Sequence, residues 1–191
     1  CITHCPVGAL KERNDVPKIY DVLADPNKVT VVQVAPAVRT AWAEAFNLPP
    51  ELATEGRMVA TLKKIGFDYV FDTCYAADVT IMEEASELLE HLQKPQDHSW
   101  PMFPSCCPGW VRYCKGHFPQ FVSQISTSKS PQQMFGAMIK SYFAQKIGTD
   151  PKKICSISIM PCLAKKAECA LPTMQDEDGN RDVDIVLTTR E

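Results

Sequence analysis

The residues best suited to chemistry are the nine cysteines, at positions 1, 5, 74, 106, 107, 114, 155, 162 and 169. An odd count, an adjacent pair and a chain of 191 residues do not fit the disulfide framework of a small secreted domain. Three cysteines abut proline, in Cys5-Pro6, Cys107-Pro108 and Pro161-Cys162. Thiols held at rigid turns point to metal or redox chemistry in a reducing compartment. Cys74, Cys114 and Cys155 sit in apolar or helix-like stretches and read as small buried hydrophobes.

Those thiols need elements to hold them. Residues 29–34, VTVVQV, form a continuous β-branched run ending at Ala35-Pro36, which predicts a buried strand. Further strands are expected at 68–72, 101–104, 154–160 and 183–189. Helices are expected at 37–46, at 56–66 with Gly66 closing it, at 78–94 capped by Asp78, from Trp110, at 130–148 with Ser130 as N-cap, and at the start of 161–169. Residues 11–27, charged and broken by prolines, read as a linker. Strands alternating with helices imply an α/β fold, with mostly parallel sheet flanked by helices. In such folds ligands collect beyond the carboxyl ends of the strands, where Ala35-Pro36, Ser105-Cys106-Cys107-Pro108 and Pro161-Cys162 fall.

The bulk numbers narrow the function. A net charge of −3 gives no footprint for nucleic acid or an anionic membrane surface, and no apolar run approaches the roughly 20 residues of a membrane span. At the N-terminus, Cys1-Ile-Thr-His-Cys5-Pro6 has the C-x3-C-P spacing that ends a ferredoxin run, and Val7-Gly8-Ala9-Leu10 continues it. Cys1 and Cys5 are therefore expected cluster ligands within the truncated end of a ferredoxin-like segment, residues 1–12, with His4 filling the loop. Two thiolates are too few for a four-iron cluster. The expectation is that the chain begins inside a domain, which leaves room for a targeting segment upstream.

Phe103-Pro104-Ser105-Cys106-Cys107-Pro108-Gly109-Trp110 and Met160-Pro161-Cys162-Leu163-Ala164-Lys165-Lys166-Ala167-Glu168 carry the decisive pattern. They resemble the first two signature motifs of the iron–iron hydrogenases, T-S-C-C-P-x-W and M-P-C-x-x-K-x-x-E. The similarity takes in Lys129-Ser130-Pro131-Gln132-Gln133 and Ala35-Pro36-Ala37-Val38-Arg39, so nearly the whole chain is covered. The resemblance implies that residues 13–191 are part of the domain holding a four-iron, four-sulfur cluster joined to a two-iron unit. It makes Cys107 and Cys162 thiolate ligands of the cubane, as soft donors suit iron–sulfur clusters. The other two ligands would come from a third motif beyond Glu191. Cys106 would hand protons to the two-iron unit, and Glu84, Glu87 and Ser126 match the onward proton path. Without the resemblance, residues 82–87 would read as an exposed acidic helix face, and Glu83 and Glu90 keep that reading. Lys165 matches a lysine that hydrogen-bonds a cyanide ligand, and Ala35, Pro36, Ser105 and Met160 match positions lining the two-iron unit. Glu168 reads as structural, and Lys166 as a solvated or structural charge. Pro104, where the family has Thr, lacks a hydroxyl and an N–H. Cys74 and Cys169 also depart from the pattern, with no role assigned.

The activity implied by this resemblance is the interconversion of protons and molecular hydrogen, with electrons arriving through ferredoxin-type clusters. The carrier would be a ferredoxin or a nicotinamide-linked subunit, and the setting the cytoplasm, with the periplasm as the alternative. Two relatives without turnover compete: iron–sulfur assembly proteins, which carry S-x-C-P-G-W, and hydrogen sensors, which commonly lose the relay thiol. Cys106 weighs against both.

Overall fold

A computed structural model describes residues 4–191. Its frame is four parallel strands, β1 (Val29–Val34), β2 (Tyr69–Asp72), β3 (Ile154–Met160) and β4 (Ile185–Thr188), in the order β2-β1-β3-β4. β1 and β3 are central and in register from Val29↔Ile154 to Val34↔Ile159. Sheet buried on both faces needs near-continuous apolar strands, as VTVVQV and ICSISIM supply.

Around the sheet lie α1 (Val16–Leu23), α2 (Pro36–Ala45), α3 (Glu55–Ile65), α4 (Cys74–Gln93), α5 (Pro108–His117), α6 (Pro131–Met138), α7 (Ala144–Ile147) and α8 (Ala164–Glu168). Val32, Val34 and Ile157 pack with Ile19, Val38 and Leu62 in one core layer. In the other, Val31 and Ile154 pack with Phe135, Ile139 and Ala144. α3 forms where its signals stand: the Thr54 hydroxyl accepts from the Arg57 amide at 3.4 Å, and Gly66 ends the helix at φ 122°.

Several expectations need correction. Residues 11–27 are not a linker, because Ile19 on α1 is buried in the first core layer and Pro17 sits in the helix's first turn, where a missing N–H costs nothing. α4 starts at Cys74, a full turn before Asp78, so Asp78 does not cap it. Residues 101–104 form no strand: Phe103 makes a single bridge to Ile125, its N–H donating to the Gln124 carbonyl at 2.7 Å. The expected helix over 130–148 is interrupted by a π-helical turn, Ile139–Phe143, which sets Phe143 edge-on to Tyr69 and Phe71 at 4.9 and 5.1 Å. Ser130 stands at the N-cap, yet its hydroxyl makes no capping bond and is buried without a partner. β4 is shorter than 183–189.

Of the two readings open for Lys166, the structure has the structural one: the charge is buried, not solvated. Its ammonium donates to the Arg13 carbonyl at 2.6 Å, Asp15 at 3.0 Å and Glu191 at 2.7 Å. This ties the segment before α1 to the one after β4. Burial alone would push the Asp15 carboxyl up, but Lys18, Lys166 and Arg13 outweigh it and bring it down to about 2.

Two predictions concern stability. Asp15 contributes about 2 kcal/mol above pH ~4, lost as the pH falls toward 2, because a carboxylate depressed in the folded state must be protonated there. Asp15→Asn should flatten the acid limb of a urea-unfolding series between those values, and an unchanged limb would contradict the ion cluster. At Gly136 a Cβ would lie 2.4 Å from the Asp182 carbonyl oxygen and 2.6 Å from Val183 Cγ2. Gly136→Ala should therefore lower stability by about 2–3 kcal/mol, as overpacking against backbone does, seen as a lower denaturant midpoint.

Candidate metal centre

From β1 the chain goes to β2 on one side; from β3 it goes to β4 on the other. The carboxyl ends of β1 and β3 therefore flank a point where the strand order reverses, and a crevice opens there. Ala35, buried at the end of β1, donates its N–H to the Ile159 carbonyl at 3.0 Å. Pro36 follows, exposed, as the first residue of α2. At the end of β3, Met160 is buried and Cys162 half-buried.

The Cys106-Cys107 turn reaches this place from another direction. Cys107 is the N-cap of α5, with its Sγ accepting from the Trp110 amide at 3.4 Å and Pro108 buried in the first turn. Gly109 lets α5 close on α8: a Cβ at that position would sit 3.7 Å from Cys107 Sγ and 4.0 Å from Ala164 Cβ. The turns are joined directly, as the Lys165 ammonium donates to the Cys106 carbonyl at 2.8 Å. Cys106 and Cys107 are exposed on this surface.

Among the described residues no group of three or more His, Cys, Asp or Glu side chains is placed to hold a metal ion alone. The convergence instead offers a pair of soft sulfur donors, Cys107 and Cys162, on adjoining turns. That pair suits two corners of an iron–sulfur cubane and leaves two to be filled by other donors. Beside it, α5, α8 and residues 122–130 enclose a cavity of about 560 Å³, with Ser105, Ser126, Ser130, Arg112, Lys115 and Glu168 in its wall.

Of the expected proton-carrying residues, Ser126 and Glu87 are bonded directly to each other, while Glu84 meets the Ser105 amide. The Ser105 amide faces Glu84 Oε1 at 3.4 Å, and its hydroxyl donates to the Ser128 carbonyl at 2.6 Å. Ser126 donates to Glu87 Oε2 at 2.5 Å, and the Thr127 amide and hydroxyl donate to Oε1 at 3.0 and 3.1 Å. Burial would push the Glu87 carboxyl up, but those donors hold it below the usual carboxylate range. Glu84 and Glu87 are half-buried, whereas Glu83 and Glu90 are exposed.

Beneath Lys165 lies a polar network that sequence reasoning missed. Lys165 pairs with the buried Glu168 at 3.0 Å. Gln132 Nε2 lies 3.1 Å from Glu168 Oε2 and 3.2 Å from Cys169 Sγ, and Gln133 Nε2 lies 3.1 Å from the same sulfur. Ser158 donates to Gln132 Oε1 at 2.8 Å; Gln33 donates to the Gln132 carbonyl at 2.9 Å and accepts from Thr73 at 3.1 Å. The available signal was Gln33 inside a strand otherwise built for burial.

The remaining thiols divide by environment. Burial pushes Cys155 up to about 12, with Asp184 adding to it. Burial also raises Cys169, to about 11, against the opposing bond from Gln133. Cys74 is raised by burial and by Asp72, and Cys114 is fully buried with its thiol on the Phe118 carbonyl at 3.6 Å. Cys5 differs: the backbone amides of Leu10 and Val7, foremost, lower its pKa. Cys1 lies outside the described residues. Pro104 is exposed, and nothing in the structure explains its presence there.

Comparison with known proteins places these features. The family model for the iron-only hydrogenase large subunit, C-terminal domain, matches residues 28–191. The NADP-reducing hydrogenase subunit HndD of Solidesulfovibrio fructosivorans is 49% identical over 195 residues, covering 100% of this chain and 33% of its own. Cytosolic iron-sulfur assembly component 3 of Bos taurus is 37% identical over 171 residues, covering 87% of this chain and 36% of its own. An apo [FeFe]-hydrogenase HydA1 variant from Chlamydomonas reinhardtii superposes with a TM-score of 0.88 at 43% identity, over 94% of this chain and 46% of that one. The chain thus spans about a third of these relatives' length and under half of the solved chain's.

Alkylation kinetics should follow this division of thiols. In the folded, metal-free protein at pH ~8, iodoacetamide should modify Cys106 and Cys107 at least about tenfold faster than Cys114, Cys155 or Cys169, because reaction requires an accessible thiolate. Peptide mapping by mass spectrometry reads the rates, and Cys169 reacting as fast as Cys106 would contradict its place in the network.

Proposed function

The chain belongs to the iron-only hydrogenase large-subunit family, in the C-terminal domain, and on that footing we propose that its protein reversibly reduces protons to molecular hydrogen, 2H⁺ + 2e⁻ ⇌ H₂. The observation that carries this reading is the meeting of the Cys106-Cys107 and Cys162 turns through Lys165 at the sheet's switch point. The cofactor implied by the family is a four-iron, four-sulfur cluster joined to a two-iron centre, which when bound supplies the electron chemistry. Cys107 and Cys162 would hold two corners of the cubane, offering soft thiolate donors to it. Ala35, Pro36, Ser105 and Met160 would line the two-iron centre and shape its surroundings. Lys165 presents its ammonium there as a hydrogen-bond donor, aimed by Glu168 and by the Cys106 carbonyl.

Proton delivery falls to this chain's own groups. The Cys106 thiol gives up its proton at the centre and regains one by way of Glu84, while Ser126 and Glu87 continue the path outward. Glu87 is held as a carboxylate by Ser126 and Thr127, so a proton that reaches it is passed on rather than retained. Cys1 and Cys5 would be ligands of a ferredoxin-type cluster that feeds electrons in, with residues 1–12 belonging to that module. The amides gathered on Cys5 suit a thiolate ligand. The electron partner is a ferredoxin or a nicotinamide-linked subunit, and the name of the Solidesulfovibrio relative, an NADP-reducing hydrogenase subunit, favours the latter. No described helix is long and apolar enough to cross a membrane. We place the protein in the cytoplasm, where free thiols stay reduced.

A second reading, a scaffold in iron–sulfur assembly without turnover, is favoured by the bovine relative. An exposed Cys106 beside the ligand cysteine has no task in that reading. The test is Cys106→Ala in the matured full-length protein. Hydrogen evolution should fall by roughly 100-fold or more, in the range that a positioned proton-transfer group contributes, with iron content and the reduced cluster's EPR signal retained. Undiminished turnover would refute the relay, and a fully loaded wild-type protein that evolves no hydrogen would favour the scaffold.

A further inference from the structure

Residues 6–14 are all exposed, and Asp15 is the first buried residue of the described chain. The segment that carries Cys5 is thus tied down where it meets the domain, over residues 12–15. Lys166 is the centre of that tie. Its ammonium donates to the Arg13 carbonyl at 2.6 Å, to Asp15 Oδ2 at 3.0 Å and to Glu191 at 2.7 Å. The Asp15 amide donates to Glu191 Oε1 at 2.6 Å, and Glu191 Oε2 accepts from the Thr188 amide and hydroxyl at 2.8 and 2.9 Å. Outside this cluster an exposed pair, Arg190 and Glu12, adds a contact at 3.9 Å. Lys166 is 6% exposed, so an ammonium has been taken out of water to make these bonds.

Stability alone is a weak reason for such a cluster, because apolar side chains of the same volume often serve as well. The better-attested use of a buried charge is to fix one chain segment in register with another. α1 already has its own anchor in the core, through Ile19. What the cluster adds is a link between the Cys5 segment and α8, the helix beside the cubane ligand. Cys162 lies four positions before Lys166, a separation that even an extended chain limits to roughly 14 Å. Cys5 lies eight positions before Arg13, within roughly 29 Å of it by the same limit. Electron transfer between two centres weakens steeply as they move apart, so a common anchor for their ligands matters. We propose that Lys166 is a positioning residue for electron entry, holding the Arg13 carbonyl and Asp15 against α8 so that the ferredoxin-type cluster on Cys5 keeps one distance from the cubane on Cys107 and Cys162. Lys166 takes no part in the redox step itself, in which one electron passes from the ferredoxin-type cluster to the cubane, oxidising the first and reducing the second. The proposal rests on the ferredoxin and hydrogenase readings above and deepens them. The competing explanation is a clasp that stabilises the start of α1 and does nothing more.

Magnetic coupling between the clusters separates the two. In the full-length protein, reconstituted with iron and sulfide and then reduced, the two clusters should split or broaden each other's EPR lines, and Cys5→Ser should remove that effect from the cubane signal. Lys166→Met keeps the aliphatic stem and removes the ammonium. It should lose most of the mutual splitting while the iron content is retained, and in the matured protein hydrogen evolution driven by reduced ferredoxin should fall roughly tenfold or more. A clasp alone would lower the denaturant midpoint and leave the splitting as it was. Because Lys166→Met strands two buried carboxylates, Asp15→Asn, which leaves Lys166 paired with Glu191, is measured beside it and should weaken the splitting in the same direction. Unchanged splitting in whichever of these variants folds would overturn the proposal. If Cys5→Ser alters the cubane signal and the other two do not, only the role of Lys166 falls. If Cys5→Ser leaves the spectrum as it was, the ferredoxin reading of residues 1–12 falls and the proposal with it.

Discussion

Two chain segments 59 positions apart meet where the Lys165 ammonium donates to the Cys106 carbonyl, and the site depends on that junction. A lysine on a short helix is a flexible tether unless something fixes it. Here Glu168 fixes it from below, and Glu168 is in turn held by Gln132. Removing an ionic group from water costs several kcal/mol unless its partners are well placed. The Lys165–Glu168 pair is almost entirely covered, so it persists only because the amides around it complete its hydrogen bonding. The orientation of the Cys106-Cys107 turn thereby becomes a property of the core.

That network crosses the sheet. Thr73 after β2, Gln33 in β1, Gln132 at the start of α6 and Ser158 in β3 are linked by hydrogen bonds through an interior otherwise made of Val, Ile and Phe. An apolar core tolerates slippage among packings of similar volume, whereas a buried amide satisfied by three specific partners does not. The network therefore sets the position of α6 on the sheet to within a hydrogen bond. The close approach of Gly136 to the Asp182 backbone secures the same helix one turn further on. A rigid platform beneath exposed thiols is what ligand and proton chemistry require, because both fail with displacements of an ångström.

Much of this was legible in the residues. The β-branched runs at 29–34 and 154–160 marked the central strands, and the prolines at 36, 108 and 161 marked the turns at their ends. Glu84 and Glu87 stood out from Glu83 and Glu90 through resemblance, and their burial follows the same division. The features that stayed hidden depended on contacts distant in sequence. α1 looked like a linker because Asp15, just before it, is stabilised by Lys166, 151 positions on. The strand expected at 101–104 failed for lack of a partner beyond one bridge to Ile125. The π-turn in the middle of 130–148 has no local signature, since it comes from packing Phe143 between Tyr69 and Phe71. Cys169 had no readable role, and its sulfur proves to receive two glutamine amides.

For the site to work as proposed, the sulfurs of Cys107 and Cys162 must grip one inorganic core. EPR of the full-length protein, reconstituted anaerobically with iron and sulfide and then reduced, tests this directly. Cys107→Ser and Cys162→Ser, made singly, should each perturb the same four-iron signal, and the double variant should lose that signal while any ferredoxin-type signal stays. Two separate signals responding one to each substitution, or a four-iron signal indifferent to both, would contradict it.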